Sequence, residues 1–172
     1  MSDRGFSLIE LLVVVAVVGA LTAVALPGLL RARISANESS AVASLRAINS
    51  AQGSYASTGG NGGYSPNLAR LANPCPGAGS GFISPDLAND PSVKAGFRIA
   101  VQASAAAQPG RPDCNGVATV TGFYTTAVPL TAGITGNRGY ASSTESTIYY
   151  DPSGVAPSEA AMAPGGGGLV LQ

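Results

Sequence analysis

Apolar residues fill positions 6 to 30, "FSLIELLVVVAVVGALTAVALPGLL", with a single carboxylate, Glu10, near the start. At about 1.5 Å rise per residue, a run of this length crosses the hydrocarbon of a bilayer as one helix. Residues 31–57 then change character. They contain no Pro and place Ile34, Ala41, Ile48 and Tyr55 at intervals of seven, with Glu38, Leu45 and Gln52 between them. That is a narrow amphipathic stripe, which predicts that the helix continues to about 50 residues, roughly 75 Å, before "TGGNGGYSPN" stops it.

Beyond residue 58 the period shortens from helical to extended. In "GFRIAVQAS" the residues Phe97, Ile99, Val101 and Ala103 alternate with Arg98, Ala100 and Gln102, the pattern of a strand with one buried face. Residues 117–129, "VATVTGFYTTAVP", and 146–151, "STIYYD", are rich in β-branched and aromatic side chains bounded by Gly and Pro. "YYDPSGVA" reads as a tight reversal, with Pro152 and Gly154 suited to its inner positions. Five segments result: a leader (1–5), a transmembrane helix (6–30), its amphipathic continuation (31–57), a globular β domain (58–156) and a flexible Gly-rich tail (157–172). The predicted fold class is α+β, a long N-terminal helix whose second half packs on a small antiparallel sheet.

Composition changes this picture mainly by exclusion. Nine basic residues balance nine acidic ones, and aromatic residues make up 6%, so neither excess positive charge nor a stacking platform points to nucleic acid. The chain contains no His, which removes Ser-His-Asp and Cys-His catalysis, and two Cys cannot build a cysteine-only zinc site. Only 10% of residues are charged, in keeping with an exported, loop-rich domain. No enzyme activity and no cofactor are expected.

Glu10 therefore stands out. An ionised carboxylate inside hydrocarbon is unfavourable by roughly 3 kcal/mol on insertion scales, so its presence asks for a compensating partner. The stretch "RGFSLIE" followed by the apolar run resembles the class III signal of type IV pilins and of type II secretion pseudopilins. That resemblance implies cleavage after Gly5 by the membrane prepilin peptidase and methylation of the new amino terminus at Phe6. It matches Glu10 to the family's assembly glutamate, and Gly19 and Pro27 to two helix-weakening positions. Under this reading the Phe6 amine, four residues or about 6 Å before Glu10, pairs with the Glu10 carboxylate of a displaced neighbour, and the charge is relieved on assembly.

Two other readings address the same residues. An ordinary signal peptide cut after Ala25, at "AVA", would release a secreted binding or enzymatic domain. It leaves Glu10 inside the apolar core and Pro27 two residues past the cut. A plain single-pass anchor leaves "GFSLIE" without a role. Arg31 and Arg33 end the apolar run and read as a solvated or headgroup-facing helix end, pairing with Glu38 being the alternative.

In an exported domain Cys75 and Cys114 are expected to form a disulfide worth roughly 4 kcal/mol, the alternative being two free buried thiols. "SPDLANDP" groups Asp86, Asn89 and Asp90, fewer donors than calcium's usual six to eight, and reads as a capped turn; no metal site is assigned. The resemblance implies a structural subunit that self-assembles into a helical homopolymer. Its partners would be the inner membrane, the prepilin peptidase and a pilus or type II secretion assembly platform. It would sit as a single-pass inner-membrane protein with its C-terminal domain periplasmic, or in an extracellular or periplasmic filament. A type II secretion pseudopilin is the alternative within the family.

Overall fold

The structure is a computed structural model and describes residues 7–171. It divides into two units, Met1–Arg33 and Ile34–Gln172, and helix α1 (Leu8–Thr58, 51 residues) contributes to both. In the first unit the described residues are helical from Leu8 onward, and their large apolar side chains are exposed throughout.

The second unit is α+β. The share of α1 that lies in it buries Glu38, Ala41, Leu45, Ile48, Gln52 and Tyr55, a three-four spacing that puts all six on one face. Ile34, at the head of the predicted stripe, is only partly buried. The helix ends where "GGNGG" begins. The Gly59 and Gly60 N–H groups both donate to the Tyr55 carbonyl, and a Cβ on Gly60 would collide with the Gly63 carbonyl oxygen.

Six antiparallel strands form the sheet in the order β1 (Ser92–Lys94), β2 (Phe97–Ala103), β5 (Phe123–Pro129), β6 (Gly139–Ser143), β7 (Ile148–Asp151) and β8 (Leu169–Val170). A separate ribbon pairs β3 (Pro109–Pro112) with β4 (Ala118–Val120). The β-rich stretch 117–129 is thus two strands in two sheets, divided at Thr121 and Gly122. Short helices α2 (Leu68–Ala72) and α3 (Glu159–Met162) and a 3₁₀ turn, Pro85–Leu87, complete the unit.

The two faces of the sheet carry different cores, as strand alternation requires. Phe97, Ile99, Val101, Phe123, Ala127, Tyr140 and Ile148 join the α1 stripe, and burial stabilises each larger side chain by roughly 1.5–3 kcal/mol. Ala103, predicted to face inward, is exposed at the end of β2. On the opposite face Tyr124 and Ala141 pack with Met162 of α3.

Within the expected flexible tail, the described residues 157–171 make specific contacts. The Glu159 carboxylate caps the Ala105 N–H at 3.0 Å, Met162 is buried, and β8 adds to β7 through Tyr149–Val170 and Tyr150–Leu169. The reason is local: the sheet's second face, left open by α1, needs an apolar cover, and Met162 supplies it.

Candidate assembly site

The first turn of α1 is set by the Ser7 carbonyl, which accepts from the N–H groups of Glu10 (3.0 Å) and Leu11 (3.2 Å). Glu10 is exposed and lies in that turn, where the helix dipole favours a negative charge. Every side chain around it on the following turns is apolar and bare: in the most hydrophobic membrane-length stretch of α1 no residue is buried. A helix that is apolar all round must be covered by lipid or by other helices. Gly5 and Phe6, the expected processing residues and Glu10's expected counter-charge, lie outside the described residues.

Gly19 and Pro27 both sit within α1. Pro27 has no N–H to offer the Ala23 carbonyl one turn back, which leaves that bond unmade. A Cβ at Gly19 would meet nothing within 4 Å, so the glycine serves no close approach inside the chain. Between them Thr22 turns its hydroxyl back onto the Val18 and Gly19 carbonyls, each at 3.0 Å, a contact that bends helices slightly. Thr22 was not singled out in the sequence; its signal is a hydroxyl residue, three after a glycine, in the middle of the apolar run.

Two polar clusters fix the second unit to its part of α1. Glu38 accepts from the Asn137 and Arg138 backbone N–H groups at 2.8 and 3.1 Å, and from Arg138 Nε and Nη2 at 3.0 and 2.6 Å. Its partner is thus Arg138, not Arg31 or Arg33. Burial pushes the Glu38 carboxyl up, but the Arg138 fork and the two N–H groups outweigh it and hold the group below its usual range. The Arg138 guanidinium also lies 5.9 Å from the Tyr140 ring and 5.5 Å from the Tyr150 ring. Burial, followed by the Glu38 charge, raises the Tyr140 hydroxyl to about 12.

At the other end of this stretch, Cys75 and Cys114 are joined by a disulfide that packs on Gly59, just past the helix terminus. The Cys114 N–H donates to the Gly59 carbonyl at 2.8 Å, and Tyr55 donates to Asp113 at 2.7 Å. Burial of Asp113 is outweighed by the Val117 N–H and the Tyr55 hydroxyl, so its carboxyl is held low. Asp86 and Asp90 do not converge. Asp86 pairs with Lys94 at 2.6 Å, whereas Asp90 accepts the Leu68 N–H at 2.7 Å. Among the described residues no cluster of three or more metal-binding acidic or Cys side chains is present.

The family described as the prokaryotic N-terminal methylation motif matches residues 1–26. The type IV major pilin protein PilA of Myxococcus xanthus is 42% identical over 53 residues, a stretch that covers 31% of this chain. The stretch spans about a quarter, 24%, of that pilin's own length. No solved structure matches the chain. An exposed apolar helix with a carboxylate in its first turn, joined to an α+β unit, has the architecture of a pilin. The methylation motif and the similarity to a major pilin support the type IV pilin and pseudopilin family.

Proposed function

We infer that the chain is a structural subunit of a bacterial type IV pilus-like filament, matured by a prepilin peptidase that cuts after Gly5 and methylates Phe6. The observation that carries this reading is the bare apolar stretch of α1 with Glu10 in its first turn, attached to a methylation motif. Before assembly the stretch is covered by the inner membrane, with the second unit on the periplasmic side. In the filament it is covered by the same stretch of other copies. Glu10 then meets the cationic amine of a neighbour's Phe6, which relieves a charge that is unfavourable in hydrocarbon by roughly 3 kcal/mol. Gly19, Thr22 and Pro27 give the helix a weak segment that can adjust to packing in the bundle.

The work of such a subunit is mechanical. The mature amino terminus and the location of the chain test the reading together: the mature chain should begin at methyl-Phe6 and should be recovered from sheared surface filaments. A chain that begins at Leu26 and is found free in the medium would overturn it. Methyl-Phe6 in a periplasmic pool, with no sheared filament, would assign the chain to the pseudopilin branch of the same family.

A further inference from the structure

Three turns meet at one end of the six-stranded sheet: residues 95–96 before β2, 130–138 between β5 and β6, and 152–155 after β7. The Leu130 N–H donates to the Gly96 carbonyl at 2.9 Å, and a Cβ on Gly154 would lie 3.3 Å from Ala132 Cβ. The middle turn is built, with Thr135 N–H to Thr131 O and Gly133 N–H to Gly136 O both at 2.9 Å. On this rigid platform three apolar side chains are exposed: Ile134 at 69%, Val155 at 63% and Leu130 at 46%. Exposed Arg98 borders Leu130 in a shallow groove with Val128 and Pro129.

Covalent connection limits how far this platform can stray from the membrane span. Asn37 Nδ2 donates to the Thr135 carbonyl at 3.0 Å, which ties the middle turn to α1. Asn37 lies seven residues after Leu30, the last apolar residue of the span. Seven residues reach at most about 25 Å even when fully extended. That reach bounds the position of Asn37, which carries the middle turn. Tethering at such range makes an individually weak contact effective.

The charges suit an anionic lipid surface. Of the acidic groups at this end, Glu38 is paired with Arg138 and Asp86 with Lys94, whereas Asp151, bonded to the Ser153 N–H and hydroxyl, keeps its charge and stands against three arginines. Arg98 remains exposed, and Arg31 and Arg33 follow the span itself. Apolar anchors beside cations are what interfacial binding requires.

We propose that Leu130, Ile134 and Val155 form a second, peripheral membrane contact, seated among the headgroups of the bilayer that holds the span, with Arg98 meeting lipid phosphate. The inference rests on the membrane-anchored reading above. Its test uses the full chain in vesicles of phosphatidylethanolamine and phosphatidylglycerol, with a bimane label on Ile134→Cys. Matching labels go on Ala106→Cys, in the turn after the far end of β2, and on Leu21→Cys in the span.

Headgroup-attached nitroxide lipid should quench the Ile134→Cys label about threefold more than the Ala106→Cys label. Leu130→Ser with Val155→Ser, or replacement of phosphatidylglycerol by phosphatidylcholine, should remove most of the difference. Acyl-chain nitroxide should quench the Leu21→Cys label in every case. Equal quenching at positions 134 and 106, with Leu21→Cys quenched, would overturn the platform contact alone. An unquenched Leu21→Cys label would overturn the membrane-anchored reading and the contact with it. Shielding at position 134 that grows with the protein-to-lipid ratio would overturn the lipid contact in favour of a second copy of the chain.

Discussion

Glu38 and Arg138 close a fork across 100 residues of sequence, with Glu38 Oε2 3.0 Å from Nε and 2.6 Å from Nη2 of Arg138. Glu38 is buried, Arg138 is partly exposed, and two backbone N–H groups complete the carboxylate's shell. Removing the carboxylate leaves those N–H groups and the guanidinium without an acceptor. Glu38→Ala should therefore lower unfolding stability by about 1–3 kcal/mol, and thermal denaturation of the parent and variant checks it.

The same fork sets an acid limit. The folded-state carboxyls of Glu38 and Asp113 are both held below their usual range, so the stability they contribute is present above the unfolded-state pKa. It is lost as pH falls through their folded values, a window that begins at about pH 4.5 and extends below it. Asp90 runs the other way: burial raises its carboxyl, so its contribution is present at low pH and is lost as pH rises through the raised value. Denaturant midpoints measured from pH 7 to pH 3 should fall toward acid, and Glu38→Gln should flatten the fall.

The disulfide clamps the loop that leans on Gly59 and holds Asp113 against Tyr55. Cys75 and Cys114 stand 39 positions apart, and in the chain-entropy model a loop of that size is worth about 4 kcal/mol. Reduction, or a Cys75→Ser and Cys114→Ser pair, should lower the melting temperature and expose the 73–83 region to protease first. A melting curve indifferent to reductant would show that packing alone fixes this loop.

Met162 fills the sheet's second face against Tyr124 and Ala141, and Met162→Ala should cost about 2–4 kcal/mol. The residues that follow are held through the same short helix, since the Gly168 N–H donates to the Ala161 carbonyl at 2.9 Å. Loosening α3 should therefore free them as well. Protease trimming of the residues after position 162 in the variant, at concentrations that spare the parent, is the direct readout.

That segment also marks where sequence reading stops. The α1 stripe and β2 were legible because each buries one face, so Leu45, Ile48, Phe97 and Ile99 fall at regular intervals. The closing segment was not legible, because Met162 is a single anchor among Ala, Pro and Gly residues and a single anchor has no period. The Glu38–Arg138 fork escaped for another reason: the turn before β6 brings Arg138 to a helix residue 100 positions away, which no local pattern encodes. In the candidate site, Glu10 is legible as a charge in an apolar run, whereas Gly19 and Pro27 come only from the resemblance to pilins. Thr22 comes from neither, because its hydroxyl is satisfied within the helix by the Val18 and Gly19 carbonyls.

The weak segment of α1 has its own test. Pro27 leaves the Ala23 carbonyl without its helical donor, and Gly lowers helix propensity by about 1 kcal/mol relative to Ala at position 19. Gly19→Ala with Pro27→Ala should make the isolated subunit's helix more resistant to amide exchange over residues 19–27. It should also reduce filament yield if the bundle needs this stretch to adjust. Unchanged yield with raised protection would show that the weakness is not used in assembly.

Glu10 gives the sharpest test of the functional reading. Its carboxylate stands exposed in the first turn of a helix whose following side chains are apolar. Glu10→Ala removes a charge that is unfavourable in hydrocarbon, so membrane insertion should be at least as complete as in the parent. Assembly should fail all the same, because the amine of a neighbour's Phe6 is left without a partner in a low-dielectric core. Glu10→Asp, which keeps the charge but shortens its reach, should fall between the two. The measurement is the ratio of sheared filament to membrane-pool subunit by immunoblot, with cleavage after Gly5 verified in each variant. A cleaved Ala variant that fills filaments as well as the parent would remove the carboxylate from the assembly contact.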